Sequence, residues 1–84
     1  MNVSIEQELL GFVQSQSVTA TTINCQTDLI EQEVLDSLLL MELVLFVEQS
    51  WGVRLMGSDF APSHFRTVKQ LTELVEYRRL QQSA

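Results

Sequence analysis

Nine of the ten residues from Leu38 to Val47 are apolar, and this run constrains the fold more than any other feature of the chain. It lies in a predicted helix from Ser37 to Trp51, with Gly52 as the C-terminal stop. A surface helix needs apolar residues along one stripe only, whereas a helix that is apolar on all sides is buried or meets a partner. A chain of 84 residues is too small to cover such a helix completely. We therefore expect another molecule to cover part of it.

A first helix and a long loop are predicted before this apolar helix. Ser4 is a suitable N-cap, with Gln7 three residues later in a capping-box pattern, and polar residues 14–17 end the helix. Residues 18–35 then form a loop that is long for a compact domain, so we expect its apolar side chains to anchor it. The predicted anchors are Ile23, Leu29 and Leu35. The predicted inner face of the first helix comprises Ile5, Leu9, Phe12 and Val13.

A short helix and a last helix are predicted after the apolar helix. Cap residues, a proline and two aromatic residues within 58–65 indicate a short, irregular helix. The last helix opens at Thr67, and Arg78 and Arg79 suit the negative end of its dipole. Residues 81–84 are predicted to be a frayed tail. The predicted inner stripe of this helix comprises Val68, Leu71, Leu74 and Val75.

The charge balance limits the classes of partner. Five basic and 11 acidic residues give a net charge of −6, which disfavours a nucleic-acid binder because that class needs a basic surface. An acidic surface instead favours protein partners with basic surfaces. We expect a monomer.

The chain carries no predicted membrane segment or signal peptide. The longest apolar run, residues 34–46, contains Asp36, Ser37 and Glu42 and is too short to span a bilayer. The first residues include two carboxylates and no basic segment, which is not the pattern of a signal peptide. The expected location is therefore the cytoplasm.

Metal and thiol chemistry have little support in the sequence. Cys25 is the only cysteine and His64 the only histidine, which is too few ligands for a zinc site. A thiol enzyme built on these two residues would need an activated cysteine, and no basic residue lies near Cys25 in the sequence. We therefore predict that Cys25 is a buried structural residue and that no metal is bound.

Ser37 lies where the long loop turns into the apolar helix, directly after Asp36 and before Leu38. Backbone N–H groups without intrahelical partners and the helix dipole favour a phosphate at such a position. This Asp-Ser-Leu triplet resembles the attachment site of acyl carrier and peptidyl carrier proteins, in which the serine carries 4′-phosphopantetheine. The resemblance covers nearly the whole chain and is densest from residue 28 to 75. It includes Asp28-Leu29 before the serine, Trp51-Gly52-Val53 at the end of the second helix, and Phe65-Arg66-Thr67-Val68 before the last helix.

The resemblance implies an all-α fold, a small four-helix bundle with a long loop between helices 1 and 2 and a short helix 3. Residues 1–84 would form a single carrier domain, ordered from about residue 3 to 80. The domain would not be an enzyme. It would tether an activated acyl or aminoacyl group as a thioester on phosphopantetheine attached to Ser37. The implied partners are a phosphopantetheinyl transferase, an acyl- or aminoacyl-activating ligase and downstream acyl-processing enzymes.

The predicted site extends along the second helix. Ser37 is the attachment residue, with a plain N-cap as its alternative role, and Asp36 assists the transferase or caps the helix. Leu38, Met41 and Leu45 share one stripe, which we predict to be a partly exposed contact surface. Glu42 and Glu48 are predicted to pair with basic residues of partners, with a solvated helix face as the alternative.

The subtype and one alternative function follow from departures from the family pattern. Val34 stands where bacterial fatty-acid carriers commonly have glycine, and Leu39 and Leu40 stand where they often have polar residues. The chain thus looks closer to discrete carriers of amino acids, such as D-alanyl carriers, or of other specialised acids, with the cargo left open. The alternative is an unmodified helical adaptor that binds partners through its apolar second helix.

Overall fold

The computed structural model describes residues 4–16 and 22–82, and the regular structure in these residues is helical. The helices are α1 (Ile5–Gln16), α2 (Ser37–Trp51), α3 (Pro62–Phe65) and α4 (Val68–Gln82), and a 3₁₀ turn, Gly57–Phe60, precedes α3. This arrangement confirms the predicted all-α bundle with a long connection after the first helix and a short third helix. Within the described part of the chain, no helix has the combined length and apolar character needed to cross a bilayer.

The first helix begins and packs as its sequence predicts. The Ser4 hydroxyl accepts a hydrogen bond from the Gln7 N–H at 3.1 Å, which satisfies one free donor of the first turn. Phe12 is half-buried and stacks on Phe46 of α2, with the ring centroids 4.3 Å apart, and Trp51 meets Phe46 edge-on at 5.6 Å. The buried residues of α1 are Ile5, Leu9 and Val13.

The second helix has the predicted bounds, and the residues at its two ends determine them. Asp36 is the N-cap, and Gly52 adopts a left-handed conformation with φ 67° at the C-terminal end. The Gly52 N–H donates to the Glu48 carbonyl at 2.9 Å, and glycine takes this conformation without a Cβ penalty. Leu43 and Val47 are fully buried, so this face of α2 packs into the core.

The predicted short helix within 58–65 consists of two separate elements. Ala61, between the 3₁₀ turn and α3, has extended backbone with ψ 142° and interrupts the helical conformation. Pro62 follows at the first position of α3, where its missing N–H costs no intrahelical hydrogen bond. Phe65 at the end of α3 is 2% exposed and joins this segment to the core.

Arg78 has a role that the sequence did not predict. Its guanidinium makes two parallel hydrogen bonds with the buried Asp59 carboxylate, Nε to Oδ2 at 2.8 Å and Nη2 to Oδ1 at 2.9 Å. The pair joins the 3₁₀ turn to α4. Arg78 also lies before the last turn of α4, which contains Arg79, so of the two arginines predicted to suit the helix dipole only Arg79 lies near its negative end.

The last helix starts as predicted and extends further than predicted. The Thr67 hydroxyl accepts from the Gln70 N–H at 3.1 Å, and the predicted inner stripe is buried. The tail prediction is wrong for residues 81 and 82, because both are helical. Gln82 also binds the backbone of Arg54, accepting from its N–H at 2.8 Å and donating to its carbonyl at 3.0 Å. Some predictions concern positions outside the described residues. These are the rest of that tail, 83–84, the order at residue 3, and loop positions 18–21.

Candidate functional site

Ser37 occupies the first helical position of α2, and Asp36, not Ser37, caps the helix. The Asp36 backbone is extended, with φ −115° and ψ −176°, and its Oδ1 accepts a hydrogen bond from the Leu39 N–H at 2.8 Å. The Asp36 carbonyl accepts from the Leu40 N–H at 2.8 Å. The capping role predicted for Asp36 is confirmed, and the alternative role of Ser37 as the N-cap is wrong.

The Ser37 hydroxyl is accessible and has no hydrogen-bond partner within residues 4–16 and 22–82. Ser37 is exposed, and its Oγ makes no hydrogen bond with any of the described residues. The N–H groups of Ser37 and Leu38 likewise have no acceptor in the described part of the chain. These two donors and the positive end of the helix dipole lie at the residue that carries the hydroxyl.

Leu29 fixes the loop that leads to Ser37. Its side chain is fully buried, its N–H donates to the Arg66 carbonyl at 2.7 Å, and its carbonyl accepts from Val34 and Leu35 at 2.9 and 3.0 Å. Between these contacts the chain reverses through Glu33, whose φ of 58° is left-handed. The loop therefore closes on Leu29 and is tied to the junction of α3 and α4. The predicted anchors Ile23 and Leu29 are buried, and Leu35 is half-buried against the core.

Asp28 stabilises the same loop through its carboxylate. Oδ1 accepts from the N–H groups of Glu31 at 2.8 Å and Ile30 at 3.1 Å, while Oδ2 accepts from Arg66 Nη1 at 3.0 Å. The hydrogen bond from Glu31, with the nearby Arg66 guanidinium, lowers the pKa of the Asp28 carboxyl below its usual value. The approach to Ser37 is thus held by polar contacts as well as by apolar anchors.

An exposed apolar stripe begins directly after Ser37. Leu38, Met41 and Leu45 are 65%, 62% and 49% exposed. They lie along one side of α2 because residues three and four positions apart share a helix face. The exposure predicted for Met41 and Leu45 is confirmed, and the buried face of the helix comprises Leu39, Leu43 and Val47.

The two predicted acidic residues of α2 differ in their contacts. The Glu48 carboxylate accepts a hydrogen bond from the Leu55 N–H at 3.2 Å and so helps to fold the chain back after α2. Glu42 is half-buried, and its carboxylate makes no ion pair with the described residues. Glu42 is therefore the better placed of the two to meet a basic partner residue.

The thiol of Cys25 lacks the environment of a nucleophile. Burial, with the neighbouring Glu6 carboxylate, raises the pKa of the thiol above its usual value, so it stays protonated at neutral pH. The residue is half-buried, less than predicted, and its carbonyl accepts from the Lys69 N–H at 3.0 Å. These features argue for a structural role and against a Cys25–His64 thiol enzyme.

The described residues contain no cluster of three or more His, Cys, Asp or Glu side chains that could hold a metal ion. No protein-family model matches the sequence, and no match is found among the curated proteins. The feature of chemical interest is the start of α2. An exposed serine hydroxyl without a hydrogen bond to the described residues lies there at a capped helix start, and an apolar stripe follows it.

Proposed function

We propose that the protein is an acyl or aminoacyl carrier, with 4′-phosphopantetheine attached to Ser37 Oγ, in a specialised biosynthetic or aminoacyl-transfer pathway. The observation that carries the proposal is the position of Ser37, which is exposed, has no hydroxyl partner among the described residues, and is the first residue of a helix that Asp36 already caps. The N–H groups of Ser37 and Leu38, which lack an acceptor in the same part of the chain, suit a phosphodiester at this point. When attached, the group supplies a thiol at the end of a flexible arm, which holds the cargo as a thioester.

The role of the chain itself is attachment and presentation. In the proposed modification, which a phosphopantetheinyl transferase would catalyse, the Ser37 hydroxyl oxygen loses its proton and bonds to the pantetheine-side phosphorus of coenzyme A. The pyrophosphate bond of coenzyme A breaks in the same step, and adenosine 3′,5′-bisphosphate leaves. Asp36 uses Oδ1 as the helix cap, which leaves Oδ2 for contact with the transferase. Tethered cargo reaches each partner enzyme at high effective concentration. The role needs coenzyme A and these partner enzymes, which fits a cytoplasmic location.

We assign partner docking to the exposed stripe of Leu38, Met41 and Leu45. The stripe adjoins the attachment residue, so an enzyme that covers it would also reach the tethered cargo. Methionine adapts to different partner shapes, and Glu42 adds a carboxylate for a basic partner residue. Glu48 contributes less, because its carboxylate already binds the Leu55 N–H.

Intact mass measurement tests the attachment. The wild-type chain is incubated with coenzyme A and a broad-specificity phosphopantetheinyl transferase, alongside Ser37→Ala and Ser50→Ala. Ser50 is the matched control, since it is also an exposed serine of α2. We expect one added phosphopantetheine on the wild type and on Ser50→Ala, and none on Ser37→Ala. Because Asp36 caps the helix, Ser37→Ala should have the same melting temperature as the wild type. An equal melting temperature would show that a missing adduct is not due to misfolding.

Absence of the adduct on the folded wild-type chain would overturn the proposal. That result would favour the second candidate, an unmodified adaptor that binds partners through the same stripe, because the exposure of Leu38, Met41 and Leu45 serves either role. The intact Asp36-Ser37-Leu38 triplet ranks the adaptor second, since an unmodified protein has no need of it.

A charge placed in the stripe tests docking separately. Met41→Glu should slow loading by the transferase or by a partner ligase, because the new carboxylate must be desolvated in the contact. Ser50→Glu adds the same charge to the same helix outside the stripe and should load at the wild-type rate. Equal rates for Met41→Glu and Ser50→Glu with every partner would contradict the docking role.

A further inference from the structure

Residues 56–64, which we call the flap, comprise Met56, the 3₁₀ turn, Ala61 and the first three residues of α3, and few of their side chains are buried. Asp59, at 3% exposed, is the single buried residue among these nine. Met56 and Phe60 are 50% and 44% exposed. The flanking residues Leu55 and Phe65 are buried, at 5% and 2% exposed. The flap is thus held through one buried polar side chain, and it lies between two buried apolar side chains.

Arg78 of α4 holds the flap through the Asp59 carboxylate. That carboxylate accepts two hydrogen bonds from the Arg78 guanidinium, at 2.8 and 2.9 Å, and a third from the Met56 N–H at 2.9 Å. Its side chain is 5% exposed and that of Arg78 19% exposed, so the carboxylate is shielded from water while the arginine keeps some contact with it. The other side-chain contact of note is the parallel stacking of Phe60 on Phe65, with the ring centroids 6.5 Å apart.

The free energy of a buried ion pair allows its two charges to separate. A buried ion pair loses hydration when it forms, so much of its Coulomb attraction is offset, and separation returns both ions to water. Met56 and Phe60 are already about half-exposed, so opening of the flap exposes less apolar surface than unfolding of the core does. Segments with few buried apolar contacts open at a lower free energy than the core.

We infer that the flap opens as a unit, hinged at Leu55 and Phe65, and that the Asp59–Arg78 pair is the latch that keeps it closed. Opening separates Phe60 from Phe65 and breaks both hydrogen bonds from Arg78 to Asp59, while the bond from Arg78 Nη1 to Gln81 Oε1 within α4 remains. The open state therefore exposes more of the Phe65 ring and of the guanidinium than the closed state does. This device is independent of any modification of Ser37 and is tested on the unmodified chain.

Native-state hydrogen exchange followed by NMR at increasing urea tests the opening without any substitution. The reporters in the flap are the amides of Asp59, Ala61 and His64, each bonded to a carbonyl three residues earlier, and the reference amides are Leu43 and Val47 in α2. Flap amides should exchange at least tenfold faster than the reference amides at low urea, with a weaker urea dependence, because local opening exposes less surface than global unfolding. Equal rates and equal urea slopes in both groups would overturn the inference.

Two substitutions and a neighbouring control test the latch. Asp59→Asn and Arg78→Gln should each speed exchange of the flap amides by roughly tenfold or more, since each removes a charge-assisted hydrogen bond. Arg79→Gln removes the adjacent, exposed arginine, which makes no ion pair with the described residues, and should leave flap exchange unchanged. If Asp59→Asn or Arg78→Gln speeds exchange equally in the flap and in α2, the pair is a global stabiliser and the latch is refuted.

Discussion

Truncation of Leu29 is the sharpest test of how the chain positions Ser37. Leu29 is fully buried although it belongs to a loop, and its backbone N–H and carbonyl tie that loop to Arg66, Val34 and Leu35. Leu29→Ala removes the apolar anchor and leaves the backbone groups in place. Its neighbour Ile30 is 37% exposed, so Ile30→Ala removes a similar volume from the same loop at a site that water reaches.

The expected cost follows from the burial of the side chain. Truncation of a fully buried leucine to alanine costs about 2–5 kcal/mol, and we take about 3 kcal/mol because a loop can relax partly into the cavity. For a domain of this size about 1 kcal/mol shifts the melting temperature by roughly 4–8 °C, so Leu29→Ala should melt about 12–24 °C below the wild type. A chain of 84 residues has a total stability of only about 4–13 kcal/mol, so this loss is a large fraction.

Thermal and urea unfolding, followed by circular dichroism at 222 nm, measure both variants against the wild type. Ile30→Ala should lose less than about 1 kcal/mol, because its side chain already contacts water in the folded state. A loss below about 1 kcal/mol for Leu29→Ala, or equal losses for the two variants, would refute the view that this residue anchors the loop.

Three further predictions concern the capping residue, the loop reversal and acid stability. Asp36→Ala should lower the free energy of unfolding by about 1 kcal/mol in urea titrations, whereas Asp36→Asn, which keeps a capping oxygen, should lose a few tenths at most. Glu33→Gly should raise stability by roughly 0.5–1 kcal/mol because it relieves a left-handed backbone, while Glu31→Gly, at a position without positive φ, should lower it. Arg78 lowers the pKa of the Asp59 carboxyl, so that group contributes stability above its unfolded pKa of about 3.9, and the contribution is lost as the pH falls through the folded value. Urea unfolding below about pH 4 should therefore show a weaker pH dependence in Asp59→Asn than in the wild type.

The parts of the fold that local signals determine were predicted from the sequence. Helix α2 begins and ends at the predicted residues because Asp36 supplies a capping carboxylate and Gly52 a left-handed C-terminal residue. The inner stripe of α4 was also predicted, since an apolar periodicity of three and four residues marks one helix face. Burial of Leu29 in a polar loop was predicted because few apolar residues were available to anchor that loop.

The contacts that could not be predicted are polar and distant in sequence. Asp59 and Arg78 are separated by 19 positions, and Arg54 and Gln82 by 28. No periodicity relates such pairs, because each depends on how the chain folds back between its helices. The sequence therefore predicts Arg78 near the end of a helix and Gln82 in a tail. In the structure, each of them binds the segment after α2 to α4.

In the candidate site, the contacts that position Ser37 do not involve its own hydroxyl. Asp36 caps α2 and Leu29 holds the preceding loop, so the position of Ser37 does not depend on its own hydroxyl. A serine that capped the helix would lose its hydrogen bond and the helix would lose stability when the oxygen was modified. Here the hydroxyl has no partner in the described part of the chain, and the exposed stripe lies on the side of α2 that the core does not use. The proposed attachment at Ser37 and the proposed docking on Leu38, Met41 and Leu45 would therefore leave the packing of the bundle unchanged.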